Sequence, residues 1–177
     1  VHHLMNEDLK QAYELAKTES DSLVPITPAF LKRLNAMLMR TTGSVHSVMG
    51  GSFDSSKGDF RLCGVTAGVG GHSYMNYLKV PAKVDDLCAL LQEKQKTVGT
   101  FRGQYELSFN AHLNLVTIHP WVDGNGRTAR LLMNYIQFCY HLFPTKIFKE
   151  DREEYILSLR QCQNEETNQP FLDFMAR

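Results

Sequence analysis

The sequence predicts a mainly α fold, a multi-helical bundle carrying one β-hairpin. Three observations lead there. Apolar residues recur at helical spacing through most of the 177 residues. Only two neighbouring segments are β-prone, and they enclose a glycine-rich turn. No internal repeat, low-complexity tract or interdomain linker divides the chain, so one shared core is expected.

In order along the chain, Asn6 is a candidate N-cap for a helix over Glu7–Lys17, with Leu9, Tyr13 and Ala16 on one face. Thr27 then Pro28 pairs an N-cap with an N1 proline, and Phe30, Leu31, Leu34, Met37 and Leu38 follow at helical spacing. Thr41–Lys57 is rich in Gly, Ser and Thr and reads as a loop. Asp59–Thr66 and Ser73–Val80 alternate in part around the turn AGVGGH and read as a hairpin that Pro81 ends. Asp85–Lys96 opens with carboxylates and sets Leu87, Leu90 and Leu91 on one stripe. Gln104–Ile118 is apolar over a face wide enough for a central helix. Gly126–Leu142 turns Leu131, Leu132, Tyr135, Ile136 and Cys139 inward, and Lys149–Gln163 and Pro170–Met175 close the chain. Residues 1–57 are expected to pack as N-terminal helices on a core at 58–177, with the hairpin at about 59–80, all in one structural domain.

Composition narrows the function classes. Lysine plus arginine is 19 and aspartate plus glutamate is 19, so the chain lacks the basic excess of a nucleic-acid or anionic-membrane binder. Hydrophobic residues at 43% argue against disorder, and 177 residues are enough to bury a real core without staples. No apolar run approaches the ~20 residues of a membrane-spanning helix, and VHHLMNEDLK lacks the pattern of a signal peptide. Cys63, Cys88, Cys139 and Cys162 form no C-x-x-C pair, so neither zinc nor a disulfide framework is indicated. Reduced, mostly buried thiols and a cytoplasmic setting, or delivery from a bacterial cytoplasm, are expected.

The chemistry concentrates in HPWVDGNGRTAR, His119 to Arg130, between the two most apolar helices. Polar groups beside a core are costly unless they bind something. Gly124, Asn125 and Gly126 allow torsions that expose successive N–H groups at the start of the next helix, which makes an anion site. Arg127 and Arg130 are three apart and project together, and two guanidinium forks beside an amide nest suggest polyphosphate. Asp123 supplies one hard oxygen, the usual protein share of a Mg²⁺ site on a nucleotide. A neutral imidazole at His119, followed by Pro120, can accept a hydroxyl proton near neutral pH. Taken singly, each part has a plainer reading: a hydrogen-bonding His at a helix end, a D-G-N-G turn, an Asp123–Arg127 i,i+4 ion pair. An EF-hand and a Walker loop do not fit, because no Glu stands at the twelfth place and G-K-[S/T] is absent. It is the conjunction that points to attack of a hydroxyl on a Mg-bound nucleotide phosphate.

HPWVDGNGRTAR resembles the signature of the Fic family, H-x-F-x-[D/E]-G-N-G-R-x-x-R, with Trp121 in the aromatic place. The resemblance extends to Gly58–Arg61 at the hairpin entry, to Ala111–His112, to Arg130–Asn134, and to Tyr155, Pro170 and Phe171. It implies a multi-helical core with a β-hairpin flap and transfer of AMP from ATP to a Ser, Thr or Tyr hydroxyl of a target protein. Carried over residue by residue, His119 is the general base and Asp123 the Mg²⁺ ligand. Gly124, Asn125 and Gly126 form the anion hole, and Arg127 and Arg130 clamp the outer phosphates. Gly126 stands where the phosphorylating Doc-type branch carries Lys, which favours nucleotidyl transfer. In the family the flap adds a target segment as an extra strand, so Tyr74, Met75, Asn76 and Tyr77 are the expected target-docking residues. Tyr155 and Gln163 resemble base-pocket positions, though Gln replaces the usual Asn. The family's inhibitory pattern, [S/T]-x-x-x-E-[G/N], is not found; restraint would come from outside this stretch, from a partner antitoxin, or be lacking. The rival readings are an enzyme that moves another phosphate-containing group or removes AMP, and an interaction module without turnover.

Overall fold

The computed structural model describes residues 2–67 and 72–177. Helix α1 (His2–Asp21) starts ahead of the expected cap, and Asn6 lies inside it. Ala12 and Ala16 are fully buried and let α1 approach α5 (Asn125–Cys139) closely, while Leu9 is exposed. Asp8, also buried, accepts bonds from the backbone N–H and hydroxyl of Thr41 and from Arg40, which fastens α1 to the end of α2 (Pro28–Leu38). Thr27 caps α2 as the sequence indicates, its hydroxyl accepting the Phe30 N–H at 3.1 Å with Pro28 in the first turn.

The stretch 41–57, expected as a loop, contains a hairpin. β1 (Val45–Val48) pairs antiparallel with β2 (Gly51–Asp54) around the two-residue turn Met49–Gly50. His46 and Phe53 face each other across it, stacked at 4.9 Å, and Phe53 is the buried member. Local Gly and Ser content hid an alternation only four residues long.

The expected hairpin at 59–80 is much shorter than its β-prone stretches. β3 (Thr66–Ala67) pairs with β4 (His72–Ser73), and the middle of the AGVGGH turn lies outside the described residues. Residues 59–65 are not a strand, because tertiary contacts claim them: Phe60 packs on Trp121 at 5.9 Å and the Arg61 N–H donates to Pro120 O at 2.9 Å. Past Ser73 the Asn76 side chain caps a 3₁₀ turn over Tyr77–Lys79, accepting the Leu78 N–H at 3.0 Å. That turn runs straight into α3 (Val80–Thr97), where Pro81 occupies the first turn of the helix and begins it.

The sequence-derived helix α4 (Phe101–Ile118) is central: Leu107, Ala111, Leu113, Leu115, Val116 and Ile118 are all buried, and it packs most extensively against α5. Leu131, Leu132, Tyr135 and Ile136 of α5 are buried with them, and Cys139 is half-buried. Leu87 and Leu91 of α3 are buried, whereas Leu90 faces solvent. α6 (Arg152–Glu165) and α7 (Gln169–Met175) close the molecule, with Phe171 inserted into the core. The four cysteines are unpaired thiols. No helix among the described residues is long and apolar enough to cross a membrane. The result is an α4–α5 pair at the centre, with the polar loop between them opening at one end of the bundle.

Candidate nucleotide-binding site

α4 stops at Ile118 because His119 turns left-handed (φ 53°, ψ 62°), its N–H still bound to Leu115 O at 2.9 Å, and Pro120 follows. A left-handed non-glycine residue costs about 1–2 kcal/mol and must be held in place. Arg61 holds it. This fully buried guanidinium donates from Nε to His119 O at 2.7 Å, from Nη1 to Cys63 O at 2.9 Å and from Nη2 to Met75 O at 2.6 Å. Its charge lies against carbonyls at the C-terminus of α4, where the helix dipole favours a cation. One side chain thus ties the His119 loop to the foot of the hairpin.

The loop itself is laced shut. The Asn125 side chain accepts the Trp121 N–H at 3.0 Å and donates to Trp121 O at 2.9 Å. The buried Trp121 indole N–H reaches Gly58 O at 2.9 Å. From α2, Asn35 donates to the Thr128 hydroxyl at 3.1 Å and to Asp123 O at 3.4 Å. Gly124 has φ +80° and sits so close to α2 that a Cβ there would meet Asn35 Nδ2 at 3.0 Å. The first intrahelical bond of α5 runs from Thr128 N–H to Gly124 O at 2.9 Å. The N–H groups of Asn125, Gly126 and Arg127 therefore have no intrahelical acceptor and form the amide end that an anion requires. Asn125 contributes its backbone to that end and its side chain to the lacing.

His119 Nδ1 lies 3.1 Å from Val116 O, so the proton belongs on Nδ1 and Nε2 carries the lone pair. The Tyr74 ring stacks on the imidazole, 3.6 Å between centroids and 8° from parallel. Burial pushes the His119 pKa down to about 4, opposed by the Val116 hydrogen bond. The group is a neutral acceptor throughout the physiological range.

Arg127 makes the i,i+4 contact with Asp123 at 3.4 Å, with the carboxylate largely exposed. Asp123 Oδ1 also accepts the Gly124 N–H at 2.7 Å. Both contacts fall on Oδ1, so Oδ2 is the oxygen that can take a cation. No group of three His, Cys, Asp or Glu gathers among the described residues. A single carboxylate beside an amide nest fits Mg²⁺ held mainly by nucleotide phosphate oxygens. Arg130 Nη1 donates to the Tyr155 hydroxyl at 3.2 Å and lies against Gly126, where a Cβ would stand 3.3 Å from it.

His119, Asp123, Gly124, Asn125, Gly126, Arg127, Arg130 and Tyr155 line one cavity of about 770 Å³. Lys149 and Arg152 add cations to its wall, and Ile147, Phe148 and Ile156 add an apolar one. None of these five was foreseen; the signal was their place just ahead of, or next to, Tyr155. Thr66, at the foot of β3, lines the cavity too. Gln163 is elsewhere, in a separate cavity with Asn114, Thr117 and Glu166. Of the four flap residues, Tyr74 reaches His119, Met75 gives its carbonyl to Arg61, and Asn76 and Tyr77 build the 3₁₀ turn. Arg61 and His112 belong to the site's framework though they were noted only as points of resemblance.

The family model described as "Fic/DOC family" matches residues 25–137. "Protein adenylyltransferase Fic" of Drosophila grimshawi is 33% identical over 159 residues, 88% of this chain and 29% of that protein. The protein of the same name from Drosophila melanogaster is 32% identical over the same shares. The chain spans under a third of the length of these relatives. Among solved structures, a Fic domain containing signaling protein from Bacteroides thetaiotaomicron superimposes with TM-score 0.79 at 24% identity, over 97% of this chain and 66% of that one. Fic-1 of C. elegans gives 0.70 at 25% identity, over 97% and 46%.

Proposed function

The chain belongs to the Fic/DOC family, and on that premise we propose that it transfers AMP from ATP to a Ser, Thr or Tyr hydroxyl of a target protein. The observation that carries the reading is the meeting, in one cavity, of a neutral imidazole acceptor with a helix amide end and two arginines. The adenylyltransferase relatives support the class of reaction.

In this reading the α-phosphate sits on the N–H groups of Asn125–Arg127, and Arg127 and Arg130 take the outer phosphates. The target hydroxyl oxygen bonds to the α-phosphorus and its proton goes to His119 Nε2. The bond from the α-phosphorus to the bridging oxygen breaks, and pyrophosphate leaves. Asp123 would hold Mg²⁺, which when bound would supply neutralisation of phosphate charge. Charge stabilisation by preorganised donors supplies most of the rate. The apolar wall of Ile147, Phe148 and Ile156 receives the base, and Tyr74 to Tyr77 border the path of the target segment. A cytoplasmic site of action fits this chemistry, since ATP is its substrate. Restraint of Arg130 by an acidic group would come from a segment or partner outside these residues, or be lacking.

The test is incubation with α-labelled ATP, Mg²⁺ and host lysate. Label should appear on protein and fall by about a hundredfold or more in His119→Ala, the range for losing a general base. Equal labelling by wild type and His119→Ala, or none by either, sinks the reading. A nucleotide panel read by intact mass separates AMP from other transferred groups.

A further inference from the structure

His112 is a fully buried imidazole in the middle of α4, and the transfer reaction just described does not use it. Its Nε2 is 2.7 Å from the Tyr155 hydroxyl. Its Nδ1 has no partner. Phe171 stacks on the ring at 4.9 Å and fixes its plane. The Tyr155 hydroxyl is in turn 3.2 Å from Arg130 Nη1, and the Tyr155 ring is 5.8 Å from that guanidinium.

The protons can be placed. Arginine only donates, so the Tyr155 oxygen accepts from Arg130. The single Tyr155 proton then goes to His112 Nε2, and His112 carries its own proton on Nδ1. That leaves a buried N–H without an acceptor, a feature that costs stability and calls for a reason. An apolar side chain would pack on Phe171 without the orphan. What only an acceptor at Nε2 supplies is a fixed direction for the Tyr155 hydroxyl, hence a fixed seat for Arg130. The Arg130 guanidinium, pressed against Gly126 on one side, meets the cavity beside the amide end of α5.

We infer that His112 and Tyr155 are positioning residues that aim the Arg130 guanidinium at the outer phosphates, so that together they set a preference for nucleoside triphosphate over monophosphate. The inference rests on the nucleotide reading of the cavity. It moves Tyr155, which is almost wholly buried, from the base pocket to the support of Arg130.

The experiment is calorimetric binding of ATP and of AMP to the 177-residue chain, with thermal melts on every variant. Wild type should bind ATP more tightly than AMP. Tyr155→Phe and His112→Leu should each weaken ATP by about fivefold to tenfold, the scale of one charge-assisted contact, with AMP nearly unchanged. His112→Gln, whose amide oxygen can stand in for Nε2, should restore ATP binding to within about twofold of wild type. Arg130→Ala should match the loss, and Arg130→Ala with Tyr155→Phe should lose no more, since the two act as one unit. Equal losses for ATP and AMP, equal behaviour of the Leu and Gln variants, or no ATP preference in wild type overturns the inference. Tyr155→Phe, the mildest change, decides the matter should His112→Leu fail to fold. Transfer of label from α-labelled ATP is scored separately: an intact ATP preference without labelled protein leaves the positioning role standing and removes the proposed reaction.

Discussion

Tyr74 lies flat on His119, the two rings 3.6 Å apart between centroids and 8° from parallel. A residue of the hairpin thus covers one face of the imidazole proposed as general base. His72, two residues earlier on β4, meets Tyr74 edge-on at 4.9 Å. The base is therefore oriented by three things: the Val116 carbonyl on Nδ1, the left-handed backbone, and an aromatic lid borne by the segment proposed to dock the target.

The lid keeps water off the ring, and burial is what lowers the His119 pKa to about 4. The acid limb of kcat/KM should accordingly lie near pH 4, with a flat profile through neutrality. Tyr74→Ala admits water and should move that limb upward, toward the ordinary 6.5, whereas Tyr74→Phe keeps it in place. A limb near 6.5 in wild type, or one that ignores Tyr74→Ala, contradicts the lid.

Two imidazoles are held neutral by burial, His119 and His112, the latter with its pKa pushed down to about 3. Both folded values lie below the unfolded 6.5, so the unfolded chain binds more protons between those limits. Stability is then full above about pH 6.5 and declines as pH falls toward 4, by up to about 1.4 kcal/mol per unit for each imidazole. Urea midpoints at pH 7.5, 6.0 and 5.0 measure this. His112→Gln should flatten the slope, and an unchanged slope would clear His112 of any part in it.

The motif and its helices were legible because their information is local. Thr27–Pro28, the apolar face of α4 and the order of residues 119–130 can each be read without knowing what lies across the fold. The supports were not legible, for the same reason. Arg61 acts on His119 from 58 positions away, and His112 on Tyr155 from 43. No periodicity marks such pairs. Residues 59–65 look like a strand because they alternate, yet Arg61 among them hydrogen-bonds the motif loop through both its backbone N–H and its side chain. β1–β2 reads as a loop because it sits within residues 41–57, a stretch rich in Gly, Ser and Thr. Gln163 followed from its place in a pattern, and α6 carries it to another cavity.

Gly124 and Gly126 should part company on substitution to alanine. Gly124 has φ +80° and abuts Asn35 and Met39, so Gly124→Ala is strained and crowded, and should cost about 1–2 kcal/mol or more of stability. Gly126 is ordinary helix, and its new methyl would press only the end of Arg130 at 3.3 Å. Gly126→Ala should fold at least as well, as Ala outranks Gly in a helix, yet bind ATP more weakly by displacing the guanidinium. Melting curves and ATP titrations on the pair check this, and a reversed order would discredit the packing described for the loop.

Arg61 offers the sharpest separation of charge from geometry. Its fork serves the carbonyls of His119, Cys63 and Met75 at once, from a site with no exposure to solvent. Arg61→Lys keeps the charge, but a compact ammonium cannot reach three diverging acceptors. With each bond to a charged donor worth about 1.5–3 kcal/mol, loss of even one should lower stability by about 2 kcal/mol. The consequence for turnover differs from that at Arg130. Arg61 holds the backbone of His119 and the foot of the hairpin, not the phosphates. In Arg61→Lys the transfer rate should therefore drop at saturating ATP while ATP affinity stays within about twofold, because the amide end of α5 is laced independently through Asn125, Trp121 and Asn35. An affinity loss as large as the loss in rate would mean that the two halves of the site are not held separately.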